Sequence, residues 1–218
     1  MKGLMRHHFY LSLSNIKIFG VLLLLLGLLA VLMDNKNPSL LILCIGTSIV
    51  GSSVNALLSL HKENAAKWSR YMLTFPLRRR DIIRSRYLSL LLGLLTGVLL
   101  AFFCLLFSVL LHGFPFDRGI DPLFLFILPL CISLLMSALF FPLSLIGGSE
   151  RKEAMLILSL FFGIVINLCL ISLLNKIFGT NQSLYRQLAN CGILFAFSGL
   201  AFLLSYFCTV RIFKQKEY

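Results

Sequence analysis

The sequence predicts an all-α membrane protein with six transmembrane helices and both termini in the cytosol. An amphipathic helix precedes the first span, and a short cytosolic helix lies between the second and third. Three observations predict this. Of 218 residues, 59% are hydrophobic and only 13% are charged, whereas a water-facing domain carries about a quarter charged. Six apolar runs, at 18–33, 40–60, 87–111, 123–146, 154–174 and 188–210, contain no acidic or basic side chain. Crossing a hydrocarbon core of about 30 Å takes roughly 20 such residues. The third observation is the placement of Lys and Arg, which sorts the connecting segments into two classes.

With the N-terminus inside, 16 basic residues are cytosolic and four (Lys36, Arg118, Lys176, Arg186) are not. Eight of the 16 crowd into one loop: Lys62, Lys67, Arg70, Arg78, Arg79, Arg80, Arg84 and Arg86. Both ends inside requires an even number of crossings. No Pro/Gly/Ser-rich linker or internal repeat divides the chain, so residues 1–218 read as one membrane domain. The net charge of +12 lies between apolar runs, where it meets anionic headgroups or a cytosolic partner. That placement argues against nucleic acid as a partner.

Residues 1–17 begin the element order. Met1, Met5, Phe9, Leu13 and Ile16 recur at three- to four-residue spacing, with Lys2, Arg6, His7 and Asn15 elsewhere around the helix. This predicts a helix lying on the inner leaflet, the other reading being an extension of the first span. That span is the shortest of the six. Its charged leader and the lack of a small-x-small cleavage site favour a retained helix over a secretory signal. Gly20 and Gly27 lie seven apart, hence on one face.

The loop 61–86 carries the most information. Asn64 is placed to cap a short helix, with Glu63 where a negative charge favours a helix N-terminus. Ala65, Trp68, Met72 and Phe75 form an apolar stripe, and Tyr71 adds an amphipathic ring. Pro76 ends the helix, residues 77–80 form a basic turn, and Asp81 is placed as N-cap of the next helix. The residues alone leave two roles open: a lever gripped by a cytosolic protein, or an interfacial anchor with Trp68 and Tyr71 at headgroup depth.

The third span holds Gly93 and Gly97 in a GxxxG pattern, which predicts a tight helix crossing within or between subunits. Asn55 and Asn167 are the notable polar residues inside spans, and both read as interhelical hydrogen-bond partners rather than the alternative, substrate ligands. The six cysteines form no CxxC pair and read as small packing residues. No GxxxxGK[ST] phosphate loop is present, so any ATP hydrolysis belongs to another chain. No HExxH or GxSxG spacing occurs, and no acidic residue lies inside a span to carry a proton pathway. No cofactor or metal site is expected in this chain, and it reads as a non-enzyme. Asn181-Gln182-Ser183 matches a glycosylation sequon.

On these residues the segment 63–88 resembles the first cytosolic loop of ABC-2-type exporter permeases. Leu73, Pro76, Leu77, Arg79, Ile82, Ile83 and Arg86 occupy the positions of that family's Leu-x-x-Pro-[Leu/Ile/Val]-x-Arg pattern and of the Ile/Val-rich stem after it. The opening residues resemble the family's elbow helix. Small bacterial permeases that export toxic or antimicrobial peptides, such as phenol-soluble modulins, are similar in particular. The resemblance implies a permease dimer, homomeric or heteromeric, in the bacterial cell membrane. Two ABC ATPase subunits bind ATP and Mg for it.

The same likeness makes 65–73 the coupling helix and 147–153 a second contact with the ATPase. It makes 175–186 a pair of short re-entrant helices, and it sets the first span near the dimer interface. A hydrophobic or amphipathic peptide is the implied substrate. The reading from a different class is a non-transporting immunity, assembly or scaffold subunit.

Overall fold

The computed structural model describes residues 39–65, 79–112, 121–146, 152–178 and 184–215, together with Gly20, Val21, Leu25 and Gly27. The described residues form five long helices: α1 (Ser39–Ala65), α2 (Arg79–His112), α3 (Asp121–Ile146), α4 (Lys152–Phe178) and α5 (Leu184–Gln215). All five are long and apolar enough to cross a membrane, and they correspond to predicted spans two to six. The four described residues of the first apolar run are helical. The predicted elbow helix lies outside the described residues.

Two helices run farther than their apolar cores. Helix α1 continues through His61, Lys62, Glu63 and Asn64 to Ala65, so Asn64 lies in its final turn and does not cap a separate short helix. Helix α2 already includes Arg79 and Arg80, with Asp81 inside its first turn. Asp81 is therefore not the N-cap, although its charge still complements the helix N-terminus. The reason is the same in both cases. Lys, Arg and Glu are good helix formers, and a helix emerging from lipid has no cause to stop at the first charge. At 34 residues, α2 is about 50 Å long, well beyond the hydrocarbon core.

Residues 175–178 complete α4 and 184–186 begin α5. The expected re-entrant helices are thus replaced, on the described residues, by turns of the two spans, with 179–183 outside the description. Likewise Lys152 and Glu153 open α4, and 147–151 lie outside it.

Helix α3 is the axis of the bundle and touches each of the other four helices. Ser133 to Ala138 are six successive buried residues, as expected of a helix surrounded on all sides. Many of the serine hydroxyls in this apolar interior are satisfied locally. Ser48, Ser52, Ser133, Ser137 and Ser159 each donate to the carbonyl three residues earlier, at 2.8–2.9 Å. This back-bonding lets serine sit at a helix crossing without an orphaned polar group.

Helices α1 and α2 pack along a seam of small residues. A Cβ on Gly97 would overlap Ser52 Oγ and lie 2.8 Å from the Ser48 carbonyl oxygen, and one on Gly93 would lie 2.8 Å from Ala56 Cβ. The glycines therefore meet Ser48, Ser52 and Ala56, spaced four apart on α1, and the GxxxG pattern is used inside the chain. The same antiparallel register brings Cys44 Sγ within 3.8 Å of Cys104 Sγ. A Cβ on Gly27 would reach Cys104 Sγ at 3.2 Å, while no described residue lies within 4 Å of one on Gly20. All six cysteines are free thiols; Cys169 and Cys208 are exposed.

Candidate functional site

The candidate site is the shared end of α1 and α2 around Ala65 and Arg79, with the bundle that holds it. Of the residues the sequence singles out for coupling, Glu63 and Ala65 lie in the last turn of α1, and Arg79 is the first residue of α2. Trp68, Tyr71, Met72, Phe75 and Pro76 lie outside the described residues. The two helices that flank this segment are the pair packed on the small-residue seam. A displacement of the segment therefore acts on two long, mutually locked rods.

Eight residues into α2 a polar clasp ties this rod to the rest of the bundle. Tyr87 Oη lies 3.0 Å from Ser205 Oγ and 2.9 Å from Thr209 Oγ1, both on α5. Ser205 Oγ donates to the Ala138 carbonyl oxygen on α3 at 2.6 Å, and Thr209 Oγ1 donates to the Ser205 carbonyl oxygen at 2.7 Å. The cause lies in α3. Pro142 sits inside that helix and has no N–H, so the Ala138 carbonyl four residues earlier loses its helical donor. The hydroxyl of Ser205 supplies the missing proton, a known way for membrane helices to tolerate proline.

Counting protons sharpens this. Three hydroxyls carry three protons but face four short contacts, so the Tyr87 proton serves one α5 oxygen at a time. The clasp can thus exchange partners without breaking. Around it the Tyr87 ring stacks on Phe141 (centroids 4.1 Å, 23°) and meets Phe202 at 5.1 Å and Tyr206 edge-on at 5.3 Å. Ring contacts of this kind contribute about 0.5–1.5 kcal/mol beyond burial. One residue of α2 is therefore held by α3 and α5 together.

Sequence reasoning did not find this clasp. Its partners lie 118 and 122 positions apart, and no local pattern links them. Pro142 was a visible signal, because a proline inside an apolar run implies a hydroxyl on some neighbouring helix. Gly163 was also missed: a Cβ there would sit 3.2 Å from the Met136 backbone nitrogen, which marks a close approach of α4 to α3.

Asn55 is buried on α1. Asn167 on α4 departs from expectation. It is 2% exposed, yet neither Nδ2 nor Oδ1 has a partner among the described residues. An interhelical hydrogen bond was expected, and the buried amide instead carries the cost of an unmade one, about 1–3 kcal/mol.

Against known families, residues 3–214 match the family described as ABC-2 family transporter protein. No curated protein and no solved structure matches the chain.

Proposed function

The chain belongs to the ABC-2 family of transporter proteins, and from that premise we propose that it is the membrane subunit of an ATP-driven exporter. Two copies, or this chain and a related one, enclose a path across a bacterial cell membrane. Separate ABC ATPase subunits carry the ATP and Mg chemistry. The segment 64–75, with Glu63 and Arg79 at its ends, is the part the ATPase grips. Trp68, Met72 and Phe75 are the apolar contacts, and Tyr71 and Pro76 fix its shape. The transported molecule is hydrophobic or amphipathic, with a toxic or antimicrobial peptide as the preferred class.

One observation supports this reading above the others: α2 is a single helix from Arg79 into the bundle, clasped through Tyr87 to α3 and α5. Force applied beside Arg79 has a stiff path to three spans. A membrane anchor has no need of that path, which favours the lever over the anchor and over an immunity or scaffold subunit.

The test is copurification. Full-length chain should bring down an ATPase with a Walker motif, and Trp68→Asp or Met72→Asp should abolish that association without reducing membrane insertion. Undiminished association and ATPase stimulation in both variants would overturn the assignment. A chain that never associates with such an ATPase would be the scaffold subunit.

A further inference from the structure

We propose that Asn167 is a ligand-binding residue of the transport path, whose side-chain amide engages the N–H and C=O of one residue in an extended peptide when α4 parts from α3. This rests on the transporter reading above and assigns a substrate contact within it.

The starting point is the amide itself. Asn167 is buried, and both its polar atoms are without partners among the described residues. Ser159, two turns earlier on the same face, satisfies its hydroxyl on the Leu156 carbonyl of its own helix. Asn167 makes no such bond, so its hydrogen-bonding capacity is directed to something the closed α3–α4 crossing does not supply.

Helix α4 packs against α3 and α5. Helix α4 is buried along one stripe, Leu156, Ser159, Gly163, Asn167 and Leu174, while Ile157, Phe161 and Leu168 are exposed. Near its middle it meets α3 through Gly163 against Ile132 and Met136 backbone, so at that level no large side chain stands between the two helices. Leu170 and Leu174 group with Ile127 and Cys131, which sets Asn167 opposite the turn 127–132. That turn contains Pro129, which lacks the N–H its helix would aim at the Leu125 carbonyl. Helices bend at such residues.

The chemistry of the amide selects the ligand class. A carboxamide offers donors and an acceptor side by side. The edge of an extended peptide presents the complementary pair at every residue, whatever its side chains. An apolar peptide crossing a bilayer carries backbone groups that lipid cannot satisfy, and a fixed amide in a dry crossing supplies a partner for them.

The experiment uses full-length chain in lipid nanodiscs and a fluorophore-labelled Val/Ser peptide, with its backbone N-methylated analogue as control. Wild type should bind the peptide. Asn167→Leu should weaken binding about tenfold, the loss of two modest hydrogen bonds, while Asn167→Gln should stay within about threefold. The N-methylated probe on wild type should match the Leu variant. The melting temperature of Asn167→Leu should equal or exceed that of wild type, because an orphaned amide is removed. No binding to wild type, equal binding by the Leu variant, or a lowered melting temperature overturns the site. ATPase copurification is read on the same samples. Wild type that retains the ATPase but fails to bind the peptide overturns the Asn167 site alone, and wild type that binds the peptide but never the ATPase overturns the transporter reading alone.

Discussion

Ser205 Oγ on α5 donates a 2.6 Å hydrogen bond to the Ala138 carbonyl oxygen on α3, the carbonyl whose helical donor Pro142 removes. A defect in one helix thereby becomes a joint between two, and Tyr87 brings in a third.

Removing the joint should destabilise the bundle, and repairing the defect should compensate. Ser205→Ala should cost about 0.6–2 kcal/mol. Pro142→Ala restores an N–H for Ala138, so the double variant should recover most of that loss. Thermal unfolding of the four proteins of this cycle in detergent checks it. Additive losses would show that Ser205 and Pro142 do not share the Ala138 carbonyl.

Tyr87→Phe should be milder. The ring contacts remain, and Ser205 and Thr209 keep their own protons on backbone carbonyls. The expected loss is about 0.5–1.5 kcal/mol, with a larger fall in ATP-driven transport than in stability. A melting-temperature drop larger than that of Ser205→Ala would contradict the proton count.

The small-residue seam gives a contrast between glycines. Gly97→Ala forces a methyl onto Ser52 and the Ser48 carbonyl and should cost about 1–3 kcal/mol. Gly199→Ala meets nothing within 4 Å among the described residues and should be neutral or slightly stabilising, because Ala is the better helix former. Equal melting temperatures for the two variants would rule out the tight α1–α2 crossing.

Cys44 and Cys104 supply a direct check of the same register. With the other four cysteines replaced, treatment with copper phenanthroline, which oxidises the two thiols to a disulfide, should join α1 to α2. Cleavage within 66–78 would then leave the halves linked until reduction. Halves that separate without reductant would contradict the 3.8 Å approach.

How much of this was legible in the sequence depends on the range of the interaction. The positions of spans two to six follow from hydropathy alone, because lipid leaves a helix no alternative. Gly93 and Gly97 were legible as a close crossing, since the absence of a side chain is itself the signal. The helix ends at Ala65 and Arg79 were misplaced, because charged residues that leave the hydrocarbon need not leave the helix. Tyr87, Ser205 and Thr209 were illegible, since a hydroxyl in an apolar run bonds to its own backbone in most turns here. Asn167 was read as a partnered residue for want of any local sign that its partner was missing. The apolar face of the coupling segment, Trp68 to Phe75, was read from spacing and lies outside the described residues.

Sidedness remains a prediction from the 16 to four division of basic residues. An impermeant maleimide applied to intact cells should label Thr180→Cys and not Ser69→Cys, with the pattern reversed in inverted vesicles. Labelling of Ser69→Cys from outside would invert the topology.

The central claim is that ATP-driven motion enters at the α2 stem and moves α2 and α5 as one body. Spin labels at Arg84 and Arg211, both exposed near the ends of these helices, measure it in the complex with its ATPase. On trapping with ATP and vanadate, the distance from 84 to 211 within a copy should hold, while that from 84 to 84 between copies should change. An 84–211 distance that shifts with nucleotide, or an 84–84 distance that ignores it, would contradict the account.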